Sequence, residues 1–233
     1  MSELQWKSAL YHLRSQIVSG ALLGGTKLRA SHLAGEMGIS RTPIGEALIK
    51  LEGEGLLIRD KSGFTVRSFA LEEVRDAIDL RGLLEGAAVQ RAAERGIGDS
   101  ELKQLSSMLL EFDRVIHDGH VAEYDQLNLE FHDYLTSLSR SDILIAEVKR
   151  SYRFPFAGPS AFPTQNNDSE RFRASLIVGQ QHHHQIVSAL SNREGARAFA
   201  LMCEHARLAH DNVRAAVEAR ELAPQLALVK NAE

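Results

Sequence analysis

Gly38-Ile39-Ser40-Arg41-Thr42-Pro43-Ile44-Gly45-Glu46-Ala47-Leu48, lying within Leu28 to Val66, reads as a turn between two helices. Before it, Leu33, Ala34 and Met37 form an apolar stripe at helical spacing, and Gly38 stands where a left-handed turn residue is wanted. After it, Ser40 suits the N-cap of a second helix whose inner face is Ile44, Ala47, Leu48 and Leu51. A short helix, a glycine-containing turn and a second helix make a helix-turn-helix, whose second helix offers its N-terminal residues to the DNA major groove. Leu56-Leu57-Ile58-Arg59 and Phe64-Thr65-Val66 follow, two short β-prone runs around Asp60-Lys61-Ser62-Gly63. They predict the two-stranded wing of a winged helix.

These residues carry a resemblance. Lys27 through Val66 is similar to the DNA-binding domain of GntR-family bacterial transcription regulators, whose SRTPxREAL and LExEGL elements correspond to Ser40–Leu48 and Leu51–Leu56. The match runs over roughly 40 contiguous residues with the turn glycine and the cap in place. Two departures stand out. Gly45 occupies the position where the family usually has an arginine, and Ser31 another where an arginine is frequent. Glycine costs about 1 kcal/mol of helix stability relative to alanine, and fewer guanidinium groups imply weaker or differently specified DNA binding. Arg29, Ser40, Arg41, Thr42, Pro43, Lys61 and Gly63 are the candidate DNA contacts. Ser40 and the helix-start amides would take a phosphate, Arg41 a base edge or a nearby phosphate, and Thr42 with the wing from Lys61 to Gly63 would fix register.

The charge distribution agrees with that placement. The chain of 233 residues has a net charge of −4, yet residues 1–69 hold nine Lys/Arg against six Asp/Glu. A basic N-terminal module on an acidic body fits a phosphate-binding domain beside one that does not bind DNA. No apolar run approaches the roughly 18 residues that a membrane span needs, and Met1 to Trp6 shows no export signal. A single Cys203 excludes an intramolecular disulfide framework and suits a reducing cytoplasm, the expected location.

The periodicity predicts a first helix over 4–19, with Leu10, Leu13, Ile17 and Val18 inward and Lys7 and Arg14 outward. Ser68-Phe69-Ala70 reads as a hinge. Beyond it no strand signal is present, and helical periodicity recurs over about 71–94, 99–117, 121–138, 142–153, 169–191 and 194–219. The expected fold is mainly α: a winged helix-turn-helix of three helices and a small β wing over 1–69, an all-helical bundle of about six helices over 70–221, and a frayed tail over 222–233. The loop from Pro155 to Asn167 is the longest irregular stretch and a candidate pocket cover.

Inward polar residues locate a site in that bundle. Asn128 and His132 project together beside the stripe of Leu127, Phe131 and Leu135. Of His182, His183 and His184, only His183 falls in line with Ile186 and Leu190, and His205 continues the stripe of Ala198, Phe199 and Met202. Three imidazoles and one side-chain oxygen suit a divalent ion such as zinc or nickel. Hydrogen-bonded histidines touching an anionic ligand directly are the other reading.

A second resemblance enters on the same residues. Asn128–His132, His182–Ile186 and Met202–His205 resemble the DxxFH, EHxxI and MxxH elements of the FCD effector-binding domain found in the FadR subfamily. That resemblance implies metal ligands at Asn128, His132, His183 and His205, beneath a cavity for a small carboxylate effector. Asn128 stands where the family has aspartate, which removes a charge from the ligand set. Arg81 and Glu85 match the family's RxxxE pattern and, with Arg150, are the candidate effector contacts; an ion pair at i,i+4 is the alternative for the first two. His117 and His120 are expected to be exposed, and His12, His32 and His210 to lie on helix surfaces.

The expected function is a dimeric, effector-responsive transcription regulator, a repressor that senses a small organic acid, bound to a double-stranded DNA operator. A metal-dependent hydrolase or lyase with an accessory DNA-binding domain is the alternative, against which stands the lack of a general base near the ligands. A third option, a DNA binder without an effector, leaves the inward histidines without a purpose.

Overall fold

The computed structural model describes residues 2–18, 21–61, 63–119, 121–154, 170–218 and 229–230. The predicted loop from Pro155 to Asn167, His120 and most of the 222–233 tail lie outside the described residues, as does the side chain of Val18. The chain divides into two compact units, residues 1–74 with 154–156 and 216–233, and residues 75–153 with 157–215. The boundary at 74/75 thus falls a few residues after the expected one at 69/70.

In the first unit, α1 (Ser2–Val18), α2 (Ala30–Met37) and α3 (Arg41–Gly53) enclose a small core. Leu10, Leu13, Ile17, Leu33, Ile44, Ala47, Leu48 and Leu51 are buried in it, as their spacing required. Gly38 ends α2 with φ at +65°, a left-handed conformation that glycine adopts without Cβ strain. Gly55, after α3, likewise sits at φ +75°. Arg14 points inward rather than outward: its guanidinium donates to both carboxylate oxygens of Glu54 at 2.8 Å, and the Glu54 side chain is only 3% exposed. This bidentate pair ties α1 to the chain just beyond α3.

The wing is a three-stranded antiparallel sheet in the order β1-β3-β2, with β1 at Lys27–Leu28, β2 at Leu57–Asp60 and β3 at Gly63–Val66. Periodicity missed β1, which is only two residues long and has no alternation to detect. The expected hinge at Ser68-Phe69-Ala70 instead contains β4 (Phe69–Ala70), which pairs in parallel with β5 (Val229–Lys230). Those two tail residues are therefore strand, against the expectation of a frayed end and of no strand beyond Leu71.

The second unit is built from α4 (Leu71–Arg95, from Arg75 on), α5 (Asp99–Asp118), α6 (Val121–Ser137), α7 (Asp142–Ser151), α8 (Glu170–Ser191) and α9 (Gly195–Glu218). Phe112, Phe131, Leu105, Leu135, Ile186, Leu190 and Met202 fill its core. Two glycines one turn apart on α4 let α9 approach closely. A Cβ at Gly82 would meet the Ala206 Cβ at 2.8 Å, and one at Gly86 would meet the Phe199 ring at 2.9 Å. His210 is not a free surface residue, since its Nε2 lies 3.1 Å from the Arg75 carbonyl oxygen.

Two glycines in helices are expected to respond oppositely to alanine. Gly45 in α3 has nothing within 4 Å of an added Cβ, so Gly45→Ala should raise stability by about 1 kcal/mol. Gly82→Ala should lower it by about 1–3 kcal/mol through overpacking against α9. Thermal unfolding of the two variants beside the wild type checks both signs; a Gly82→Ala protein as stable as the wild type would show that α4 and α9 separate easily.

Candidate nucleic-acid interface and histidine cluster

The start of α3 carries the candidate DNA contacts. Ser40 occupies the N-cap with extended backbone (φ −72°, ψ 164°), but its hydroxyl makes no cap hydrogen bond. Arg29, Ser40, Arg41, Thr42 and Lys61 are all exposed. Pro43 is not: it is buried beside Ile44 on the inner face of α3. A ring without an N–H in the first helical turn costs no helix hydrogen bond, so Pro43 serves packing and does not present a DNA-facing surface. On the wing, Asp60 pairs with Gly63, which stands at φ +127°, and the Arg59 guanidinium lies 5.4 Å from the Phe64 ring centroid. Arg41 adds an exposed positive charge to the positive end of α3, which attracts anions.

The second unit gathers His132 from α6, His183 from α8 and His205 from α9. All three are buried, at 1%, 0% and 8% exposure. His132 Nε2 is 3.1 Å and His183 Nε2 is 3.3 Å from His205 Nε2, and the three ligand atoms lie within 4.8 Å of one another. Phe112 and Phe131 pack on the His183 ring at centroid distances of 4.8 and 4.5 Å. Burial, with the neighbouring imidazoles, pushes His183 and His205 well below the ordinary histidine range, so both are neutral at physiological pH. Asn128, one turn before His132 on α6, is buried as well.

A neutral imidazole offers one N–H and one lone pair. If the proton of His205 sits on Nε2, it aligns with only one of its two neighbours. If it sits on Nδ1, it is a buried donor with no acceptor, because Nδ1 makes no hydrogen bond. Every tautomer therefore leaves a buried nitrogen unsatisfied. A cation shared by the three nitrogens removes that deficit, so the residues present fit a divalent metal.

Arg81 and Glu85 on α4 are 2% and 1% exposed, which rules out a surface pair. The Tyr152 hydroxyl donates to Glu85 Oε1 at 2.6 Å. His132 Nδ1 lies 3.2 Å from the same oxygen, close enough for charge contact but off the line of a good hydrogen bond. Burial alone would raise the Glu85 carboxyl, but His132, Arg81 and Tyr152 outweigh it and hold it at about 2, as a carboxylate. The Arg81 Nε is buried without a hydrogen-bond partner. Arg150 is not brought to this cluster: its side chain is 71% exposed and lies 3.7 Å from Glu147. Tyr152 and Gln180 join it instead. Neither belongs to an apolar stripe with the histidines, so periodicity gave no signal for them.

Comparison with known proteins follows the same division. Residues 7–66 match the family described as bacterial regulatory proteins, gntR family, and residues 76–208, more than half of the chain, match the FCD domain. The Nta operon transcriptional regulator of Aminobacter aminovorans is 31% identical over 193 residues, covering 81% of this chain and 85% of that protein. The HTH-type transcriptional repressor RspR of Escherichia coli is 28% identical over 210 residues, covering 87% and 86%. The solved structure of E. coli McbR/YncC superposes with a TM-score of 0.69 at 21% identity, over 92% of this chain and 98% of that one, a likeness of fold. Among the described residues no helix is long and apolar enough to cross a membrane. The chain belongs to the gntR family of bacterial regulatory proteins, in the arrangement that joins a winged helix to an FCD domain, and is a DNA-binding transcription regulator rather than an enzyme.

Proposed function

We propose that this regulator is a cytoplasmic homodimeric repressor whose helical unit holds a divalent cation and responds to a small carboxylate. The observation that carries the reading is the buried trio of His132, His183 and His205, whose Nε2 atoms cannot all be satisfied by one another. Those three nitrogens would hold the ion, with the Asn128 amide oxygen as a neutral fourth donor; zinc and nickel both accept imidazole. The partnerless Arg81 Nε supports a carboxylate effector, because a buried guanidinium N–H is costly until an anion accepts from it. Two copies would place two winged helices on successive half-sites. The effector would shift operator affinity to the extent that it binds the DNA-competent and DNA-incompetent arrangements differently.

On DNA, the exposed Ser40 hydroxyl and the first amides of α3 would take a phosphate, Arg41 a base edge, and Thr42, Arg29 and the wing at Lys61 and Gly63 would set register. Arg41→Ala is expected to weaken binding to an operator selected from random DNA by about 1–3 kcal/mol, roughly 5- to 150-fold. Unchanged affinity in a gel-shift titration would remove Arg41 from the base-reading surface.

Metal analysis of untagged protein tests the pocket. Near one equivalent of metal per chain is expected, lost in His132→Ala/His183→Ala. Chelator treatment should lower the melting temperature, since an ion that binds only the folded state stabilises it by mass action. Metal-free protein with a cooperative, chelator-insensitive transition would overturn the metal reading and leave the histidines as direct contacts to the anion.

A further inference from the structure

The three imidazoles have different supports behind them. His132 faces the Glu85 carboxylate, and His205 Nδ1 has no hydrogen bond. His183 Nδ1 lies 3.2 Å from Gln180 Oε1, one helical turn back on α8. Gln180 is itself 5% exposed, and its side-chain nitrogen also lies 3.0 Å from His184 Nε2. Gln180 Nε2 donates to the Leu109 carbonyl oxygen at 3.0 Å and to Asp113 Oδ1 at 2.9 Å, both on α5.

A carbonyl and a carboxylate are obligate acceptors, so the group facing them must be the amide NH2. That fixes which end of the Gln180 amide points at His183: the oxygen. An amide oxygen only accepts, so Nδ1 of His183 must carry the ring proton. Nε2 is then left with its bare lone pair, directed at the cluster with His132 and His205. The other orientation would set the amide nitrogen against Nδ1 and the oxygen against the buried Leu109 carbonyl and the half-exposed Asp113, two acceptor–acceptor contacts.

We propose that Gln180 is a positioning residue for the histidine cluster: anchored by the Leu109 carbonyl and Asp113, it locks His183 in the Nδ1–H tautomer and so presents Nε2 as a ready metal ligand. The inference deepens the metal reading and rests on it for its consequence in affinity. The tautomer itself does not depend on a metal. Outer hydrogen-bond partners of ligating histidines contribute about 10- to 100-fold to metal affinity, and Gln180 is a partner of this kind. Asp113 acts one step further out, through Gln180.

Two measurements test it. In the full-length, chelator-treated wild type, long-range proton–nitrogen correlation spectra of the histidine rings should show His183 with a protonated Nδ1 and an unprotonated Nε2. A proton on Nε2 overturns the assignment without any variant being made. Competition with a chromophoric chelator then reads the affinity for Zn2+ alone. Gln180→Met should bind Zn2+ 10- to 100-fold more weakly than the wild type. Gln180→Glu/Asp113→Asn, which keeps an acceptor at Nδ1 and supplies a donor from position 113 but sets a carboxylate oxygen against the Leu109 carbonyl, should recover part of the loss. Equal affinity in wild type and Gln180→Met, both folded by circular dichroism, overturns the positioning role. A wild type that takes up no Zn2+ fails the metal reading instead, and the ring spectrum still decides for or against Gln180.

Discussion

The helical unit depends on how three imidazoles share one buried space. Apolar side chains could fill that volume without any polar requirement, whereas three histidines within hydrogen-bond range bring more nitrogen atoms than they can pair. Everything packed around them narrows their freedom further. Phe112 and Phe131 both pack against the His183 ring, and desolvation suppresses the protonation that would give its nitrogens more donors. A core residue chosen for packing alone would not be used this way. The cluster makes physical sense as a ligand set.

The close approach of α4 and α9 sets the second face of this cluster. Gly82 and Gly86 leave no side chain between the helices, and Cys203 Sγ lies 3.5 Å from the Gly82 carbonyl oxygen. Arg81 and Glu85 flank these glycines in sequence, so the same contact that removes bulk carries a buried guanidinium and a buried carboxylate into the unit that holds His205. Removing either of two such buried, mutually attracting charges leaves the other less compensated in a poorly solvated place. Packing and charge placement therefore arise from one feature of the α4 sequence.

Much of this was legible from the chain alone. Long amphipathic helices announce themselves through period, and each of the six bundle helices lies within a residue or two of its expected span. His183 was separable from His182 and His184 because only one of three consecutive residues can share the Ile186–Leu190 face. What stayed hidden has a common cause. The β1 and β4 segments are two residues long, too short to show alternation. Pro43 stood among the polar recognition residues, and only the packed structure shows it facing inward. Tyr152 reaches Glu85 across 67 residues of sequence, and Gln180 reaches Leu109 across 71. Local spacing carries no information about such contacts; they exist only once the helices are packed.

Two of the three departures from the family pattern, Gly45 and Asn128, fall at positions where charge can change without disturbing the fold. Gly45 leaves open space on α3, and Ile44, Ala47, Leu48 and Leu51 still bury the opposite face. Helix stability drops by an amount that this core absorbs, while the DNA-facing surface loses a cation. Asn128 has almost the shape of aspartate and remains buried on α6, so the packing around it has no reason to move. What changes is the electrostatics: with a neutral amide there, among the described residues the carboxylate against the histidine trio is Glu85, and it stands at Nδ1 of His132, on the opposite edge of the ring from the cluster. A dication among the three Nε2 atoms would keep more of its positive charge than one with an aspartate ligand. An amide at 128 would weaken the hold on such an ion and strengthen the pull of the site on an anion, so metal and carboxylate would each raise the affinity of the other.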